Sequence, residues 1–309
     1  YISRDYIQAG IVDLKGASLR NERIHLSASE TEESFIRKLF MLTDSVFNID
    51  RKANIWGIGI ASIGPLNISE GTILNPPNFH NIKDLDIVKP LSERYGLPAY
   101  LENDMNVSAL AEMYFGSGQK VNNFIYVGIT SGIGAGIVID RKLYNGSRGF
   151  GGEIGHITVD INGKECGCGN RGCLETYADI PAVLQWVKEE YIKQNLDLPE
   201  LSWLWLIDSA KTGNEICRKA IERQCRYLAA AIVTAANLID PECIFIGGEI
   251  GLASDLTVPF INQYVNQYKF SPNTFQIPVY PSGLPGGATF VGTAALVLER
   301  NLGKEPQHD

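Results

Sequence analysis

The stretch Ile133-Gly134-Ala135-Gly136-Ile137-Val138 restates Ile7-Gln8-Ala9-Gly10-Ile11-Val12, 126 residues further along the chain. Both copies read as strand–turn–strand units: each is followed by a polar turn (Lys15-Gly16 and Arg141-Lys142) and a second short apolar stretch. One repeat at this distance marks a duplicated domain, since solenoid repeats recur every 20 to 50 residues or so. Two related lobes, each opening on a hairpin, are expected to face each other across a cleft, where small ligands usually bind.

Outward from the repeat, strand patterns fall at Ile7–Leu14, Ile55–Ile60, Ala99–Glu102, Asn123–Ile129, Gly134–Ile139, Ile157–Asp160, Cys243–Ile246 and Ile277–Tyr280. Helical spacing predicts helices over Glu33–Phe47, Asp84–Tyr95, Val107–Tyr114, Pro181–Gln194, Glu215–Asn237, Asp255–Asn266 and Ala288–Arg300. This is mixed α/β, with lobes expected at 1–118 and 119–287 and a last helix, 288–309, packing back on the first lobe. Trp203 and Trp205 read as an apolar corner, and Cys217, Cys225 and Cys243 as small core residues.

Composition excludes several classes. Hydrophobic residues make up 45% of the chain and charged ones 20%, which suits a globular core and not a disordered tail or a disulfide-stapled mini-protein. A net charge of −8 repels a phosphate backbone, so any contact with nucleic acid needs a separate basic module. No apolar run approaches the roughly 18 to 20 residues that span a bilayer, and no export leader is visible. Nothing marks the six cysteines as exported disulfide partners, so the cytoplasm is the expected compartment. Tyr1-Ile2-Ser3 reads as the middle of a strand, and the natural chain is expected to extend upstream of it.

The two repeated hairpins differ in their turns. Thr130-Ser131-Gly132-Ile133-Gly134 offers small residues and hydroxyls that let backbone amides close on a phosphate. Ser3-Arg4-Asp5-Tyr6 has no glycine, and the charge of Asp5 opposes an anion. Gly247-Gly248, after the strand at Cys243–Ile246, would let a ribose or flat ring approach the backbone, although a tight turn without ligand explains them better.

Cys166, Cys168 and Cys173 lie within eight residues, with Gly167, Gly169 and Gly172 between them, and His156 stands ten residues upstream. Three thiolates and an imidazole form a closed, structural zinc set; a redox pair or unlinked thiols is the alternative. Glu153 and Glu175 flank this loop and would be held rigidly enough to recognise hydroxyls, or else form surface ion pairs. Asp104 follows a strand and opens a helix, where it can act as a general base, bond a sugar hydroxyl, or cap the helix.

Gly152-Glu153-Ile154-Gly155-His156 followed by Cys166-x-Cys168-Gly-x-x-Gly-Cys173-Leu174-Glu175 resembles the ROK family (repressors, open reading frames, kinases). The resemblance continues through Ile60–Pro65, Pro77-Asn78, Glu102-Asn103-Asp104, the Ser131–Gly134 turn, Asp240-Pro241 and Gly247-Gly248. It implies an actin/hexokinase-like (ribonuclease H-like) duplicated two-lobe fold with an inter-lobe cleft, a zinc-stiffened loop over 156–173, and a homodimer or dimer of dimers. It implies one zinc per chain on His156, Cys166, Cys168 and Cys173. It implies sugar contacts from Asn78, Asn103, Asp104, Glu153, His156 and Glu175, with Asp104 as the base in kinases. Thr130, Ser131, Gly132, Gly134, Gly247 and Gly248 would be a vestigial nucleotide site.

Family kinases carry Asp-x-Gly-Gly-Thr in the first hairpin, for ATP phosphates and metal, and this chain does not. Family regulators similar to the xylose and N-acetylglucosamine repressors commonly lack it and place a winged helix-turn-helix ahead of this domain. The expectation is therefore the sugar-sensing effector domain of a transcriptional regulator, reaching operator DNA through an upstream segment and having no membrane part. The rival is a kinase that uses ATP and magnesium to phosphorylate a hexose or N-acetylhexosamine. A protein-interaction domain without a sugar fits less well, because the polar groups of Asn103, Asp104, Glu153 and Glu175 would be buried without a ligand.

Overall fold

The computed structural model describes residues 1–302 apart from 28, 48–53, 77–78, 81 and 286. Two compact units emerge. The first holds Tyr1–Gln119, Asn145–Gly151 and the described chain from Gly287; the second holds Lys120–Tyr144 and Gly152–Gly286. Asn145–Gly151, placed within 119–287 on sequence grounds, thus belongs with the first unit.

The first unit opens on β1 (Tyr6–Val12), antiparallel to β2 (Ser18–His25), with Tyr6 opposite His25. Helix α1 (Glu32–Phe47) turns one stripe inward, Phe35, Leu39, Leu42 and Val46, at the three-and-four spacing of an amphipathic helix. Glu32 and Glu33 sit in its first turn, where the helix dipole favours negative charge. Next come β3 (Ile58–Ser62), the short β4 (Leu66–Asn67), β5 (Thr72–Ile73) and β6 (Leu85–Asp86), and α2 (Val88–Tyr95). Strand β7 (Ala99–Asn103) pairs parallel with β3 and leads directly into α3 (Asp104–Tyr114).

The second unit is built on one five-stranded sheet in the order β10-β9-β8-β11-β12. Its strands are β8 (Phe124–Ile129), β9 (Ile133–Ile139), β10 (Lys142–Leu143), β11 (Cys243–Gly248) and β12 (Val279–Pro281). Around it lie α4 (Glu175–Ala178), α5 (Ile180–Lys193), α6 (Trp203–Lys211), α7 (Glu215–Ile239) and α8 (Ser254–Tyr268). The long α7 buries Cys217, Ile221, Cys225, Leu228 and Ile232, and ends where Asp240 turns left-handed at φ 52°.

The chain then returns to the first unit as α9 (Ala288–Leu302), which packs tightly on α3. A Cβ on Gly292 would lie 2.1 Å from the Val107 carbonyl oxygen, and Thr289 and Ser108 share a hydroxyl bond at 2.9 Å.

Four sequence expectations change. Ile157–Asp160 is no strand: it makes one bridge, Thr158 to Cys173, because its backbone is spent on the cysteine loop. The helix expected from Asp84 begins at Val88, since Pro90 fits only a first turn. Trp203 and Trp205 open a helix capped by the Ser202 hydroxyl. Strand β2 is polar and mostly exposed, so its pairing with β1, not its own pattern, makes it a strand.

Candidate metal centre and ligand-binding residues

In the second unit, two glycines set the position of the Gly152–His156 motif. A Cβ on Gly152 would stand 1.9 Å from the Ala135 carbonyl oxygen, and one on Gly155 would stand 2.1 Å from that of Ile133. Only glycine lets this segment lie flat on β9, and Gly152 also needs its φ of +90°. Glu153 and His156 follow these contacts one residue later in each case. Burial pushes the Glu153 carboxyl above its usual range; the charge of Glu175 adds to this and His156 opposes it.

The ligand atoms of His156, Cys166, Cys168 and Cys173 all lie within 4.8 Å of one another. Cys166 Sγ is 3.7 Å from His156 Nδ1, and Cys168 Sγ is 3.7 Å from Cys173 Sγ. A tetrahedron with metal–sulfur bonds of about 2.3 Å has edges of about 3.8 Å, so two of these contacts already have that spacing and the four donors are placed to close on a metal ion. The loop is drawn into shape by Cys166 N–H on the Asn170 carbonyl at 2.8 Å and Gly169 N–H on that of Cys166 at 3.0 Å. Gly172 is forced, since a Cβ there would meet the Asp160 carbonyl at 1.7 Å. Burial pushes the Cys166 and Cys173 thiols up. For Cys168, burial is outweighed by the Asn170 amide and the neighbouring sulfurs, and its thiol is held down.

Glu175 opens α4 with its carboxylate on this cluster, 3.2 Å from Cys166 Sγ and 3.6 Å from His156 Nδ1. The sequence reading gave Glu175 to a sugar hydroxyl; its Oε1 faces the Cys166 thiol and the His156 ring. His156 presents Nδ1 to the cluster, which leaves Nε2 as its other face.

In the first unit, Asn103 and Asp104 sit where β7 becomes α3. Asn103, not Asp104, is the cap: its Oδ1 accepts the amides of Met105 at 2.9 Å and Asn106 at 3.4 Å. Asp104 is buried as the first helical residue, and its Oδ1 also takes the Met105 amide at 2.9 Å. Behind them lies a group that the sequence reading missed. The fully buried Glu102 carboxylate accepts the Asn103 amide, Asn106 Nδ2 and Asn145 Nδ2, each at 3.0 Å, with Arg300 3.8 Å away. No local pattern could announce this, because Asn145 lies 43 residues from Glu102. Asn78 falls outside the described residues.

The two repeated turns differ in structure as well. The Ser3 hydroxyl accepts the amides of Asp5 at 3.3 Å and Tyr6 at 3.1 Å, and Ser3 N–H bonds the Tyr6 carbonyl at 3.0 Å. The amides that a phosphate would need are thus already engaged. The second turn is three residues, Thr130, Ser131 and Gly132, closed by Thr130 N–H on the Gly132 carbonyl at 2.9 Å; Gly134 lies within β9 opposite Gly128. Gly247 makes room for Tyr126, whose hydroxyl lies 2.1 Å from where a Cβ would be, and Gly248 has φ +80° beside Ile129. Packing alone accounts for both glycines.

No helix among the described residues is long and apolar enough to cross a membrane. A family model described as the ROK family matches residues 2–300. The chain is 32% identical over 310 residues to the xylose repressor of Caldicellulosiruptor bescii, covering 96% of this chain and 77% of that protein. Its fold is similar to that of a ROK family transcriptional regulator, a homologue of the Escherichia coli MLC protein, with TM-score 0.86, 30% identity and coverage of 96% and 76%. It is also similar to a ROK family glucokinase from Streptomyces griseus, solved with glucose and AMPPNP, with TM-score 0.84, 25% identity and 96% coverage of both chains.

Proposed function

The chain belongs to the ROK family and has its two-lobed actin/hexokinase-like fold, and on that premise we propose that it is the sugar-responsive effector part of a transcriptional repressor. The observation that carries this reading is the first turn. Ser3, which satisfies the Asp5 and Tyr6 amides, replaces a glycine-lined phosphate cradle with a closed loop. Phosphoryl transfer depends on positioned donors around the phosphates, and loss of even one such donor costs about 100-fold or more. The likeness to repressors by name, a xylose repressor among them, supports the same side.

In this reading Asn103, Asp104, Glu153, His156 and Glu175, with Asn78, are the residues that meet sugar hydroxyls. His156, Cys166, Cys168 and Cys173 hold one zinc ion, which stiffens their loop and fixes the carboxylates beside it. Thr130, Ser131, Gly132, Gly134, Gly247 and Gly248 keep the outline of a nucleotide site without its use. The sugar acts by favouring one arrangement of the protein over another, and its effect on operator DNA is limited to that difference in affinity. DNA contact falls to a segment outside this sequence, since a chain of net charge −8 is a poor DNA ligand. Two copies pair, so that two such segments are spaced together.

The test is a coupled ADP-release assay with MgATP over hexoses, pentoses and N-acetylhexosamines, with thermal shifts read on the same panel. The expected result is no turnover and a raised melting temperature with one sugar. Turnover that disappears in Asp104→Asn would make the protein a sugar kinase, the reading that its likeness to a glucokinase keeps in view.

A further inference from the structure

The cysteine loop has little core of its own. Between residues 161 and 173 only Cys166, Gly172 and Cys173 are buried. Apolar burial therefore cannot fix its shape, and polar anchors must. Tyr177, two residues beyond Glu175 in α4, supplies one. Its hydroxyl accepts the Lys164 N–H at 2.9 Å and donates to Asp160 Oδ2 at 3.4 Å. Gly163 makes the approach possible, since a Cβ there would stand 2.0 Å from that hydroxyl. Lys164 passes the hold to both arms of the loop. Its carbonyl accepts the Gly172 N–H at 2.7 Å, so the arm that leads to Cys166 and the arm that leads to Cys173 are tied through one residue.

Tyr177 is itself held by α7. It is 5% exposed, and its ring stacks on that of Tyr227, with centroids 4.7 Å apart and 24° between the planes. The Arg223 guanidinium lies 4.9 Å from the Tyr227 ring centroid and 5.8 Å from those of Tyr177 and Trp186. Arg223 also donates to the Tyr177 carbonyl at 3.2 Å, and Gln224 Nε2 to that of Ala178 at 2.9 Å. These two bonds satisfy carbonyls that a helix as short as α4 leaves open at its C-terminal end. Ring and backbone of Tyr177 are thus fixed to the longest helix of the unit, and the hydroxyl extends that fixed frame into the exposed loop.

We propose that Tyr177 is a positioning residue for the metal centre, which sets the loop through Lys164 so that Cys166 and Cys173 stand in place before a metal arrives. The inference rests on the zinc reading above and on no choice between repressor and kinase. Ligands that are already placed cost a metal no ordering, whereas ligands that must be gathered lower its affinity by that cost. The arrangement also gives Tyr177 a second effect, because Glu175 shares its short helix and is held by the same contacts with α7.

The test is zinc affinity, measured by competition with a chromophoric chelator. Tyr177→Phe keeps the ring, its stack and the Arg223 contacts and removes the hydroxyl. It is expected to weaken zinc binding about tenfold or more and to speed hydrogen exchange at the Lys164 amide. Tyr227→Phe, which removes the hydroxyl of the other stacked ring, should change neither. Gly163→Ala sets a Cβ against the Tyr177 hydroxyl and should also weaken zinc binding, but by less in a Tyr177→Phe background, where that clash is gone. Unchanged affinity in Tyr177→Phe would overturn the proposal. So would an equal loss in Tyr227→Phe, or losses from Gly163→Ala and Tyr177→Phe that simply add. A parent chain that takes up no zinc would remove the metal centre itself, and the role of Tyr177 with it.

Discussion

In the first unit the buried Glu102 carboxylate gathers three N–H groups at 3.0 Å, whereas in the second three thiols and an imidazole face one another within 4.8 Å. The first arrangement joins donors to an acceptor and satisfies the Glu102 carboxylate from within, while Asn106 Oδ1 beside it has no hydrogen-bond partner among the described residues. The second brings together four groups that all offer lone pairs, with the Glu175 carboxylate as a further acceptor beside them. Thiols there can bond only by keeping their protons, and a divalent cation resolves the clash by replacing those protons. The two turns repeat the contrast: Ser3 satisfies the first from within. The carboxylate of the first unit is satisfied by the fold itself, whereas the donor set of the second unit could hold a metal ion.

The sharpest way to break this contrast is to remove a sulfur. Cys173→Ser should take bound zinc from about one per chain to near none and open residues 156–173 to proteolysis, because a three-ligand remnant loses most of the binding energy of a structural site. Cys243→Ser, in β11 and away from the cluster, should keep its metal. Full zinc in Cys173→Ser would remove the ligand assignment. A smaller but still large effect is expected from Glu102→Ala. It removes the acceptor shared by the Asn103 backbone amide and the Asn106 and Asn145 side-chain amides, of which Asn106 Nδ2 keeps Asn145 Oδ1 at 3.3 Å, at a cost of about 3 kcal/mol. Chemical denaturation measures it, and a loss below about 1 kcal/mol would show that the Glu102 cage does not hold the first unit together.

The difference between the units also explains what could be read from the sequence. The cysteine loop was legible because its ligands and its forced glycines lie close together, from Gly152 to Cys173. The fold class was legible from strand and helix periodicity and from the repeat that aligns β1 with β9. The Glu102 cage was not, since it is assembled from Glu102, Asn106, Asn145 and Arg300, which only the fold brings together. Nor was the role of Asn103 as the cap of α3: Asn and Asp are both good caps, and adjacent candidates are separated only by the backbone angle at which the helix starts. For Gly247 and Gly248 the sequence favoured a tight turn over a ligand's approach, but it could not supply their packing partners, Tyr126 and Ile129.

The smallest expected effect sharpens the comparison through pH. Burial tends to raise the Glu30 carboxyl, but Lys38 Nζ at 2.6 Å, the Ser34 hydroxyl and the Ser27 amide at 3.0 Å outweigh it and hold the group at about 2, against an ordinary 4.5. Glu153, in the second unit, is shifted the opposite way by its burial. The sign for Glu30 follows from proton counting. Below pH 4.5 the unfolded chain takes up a proton that the folded chain refuses until about pH 2, so the stabilisation is whole above 4.5 and is lost as pH falls between the two values. Glu30→Gln cannot ionise and should be less stable than the parent by about 1 to 2 kcal/mol at pH 7. That gap should stay constant down to pH 5 and close as pH approaches 2. Melting curves of both proteins across this range measure it, and a gap that did not narrow would mean that the Glu30 site stabilises the first unit by shape and not by charge.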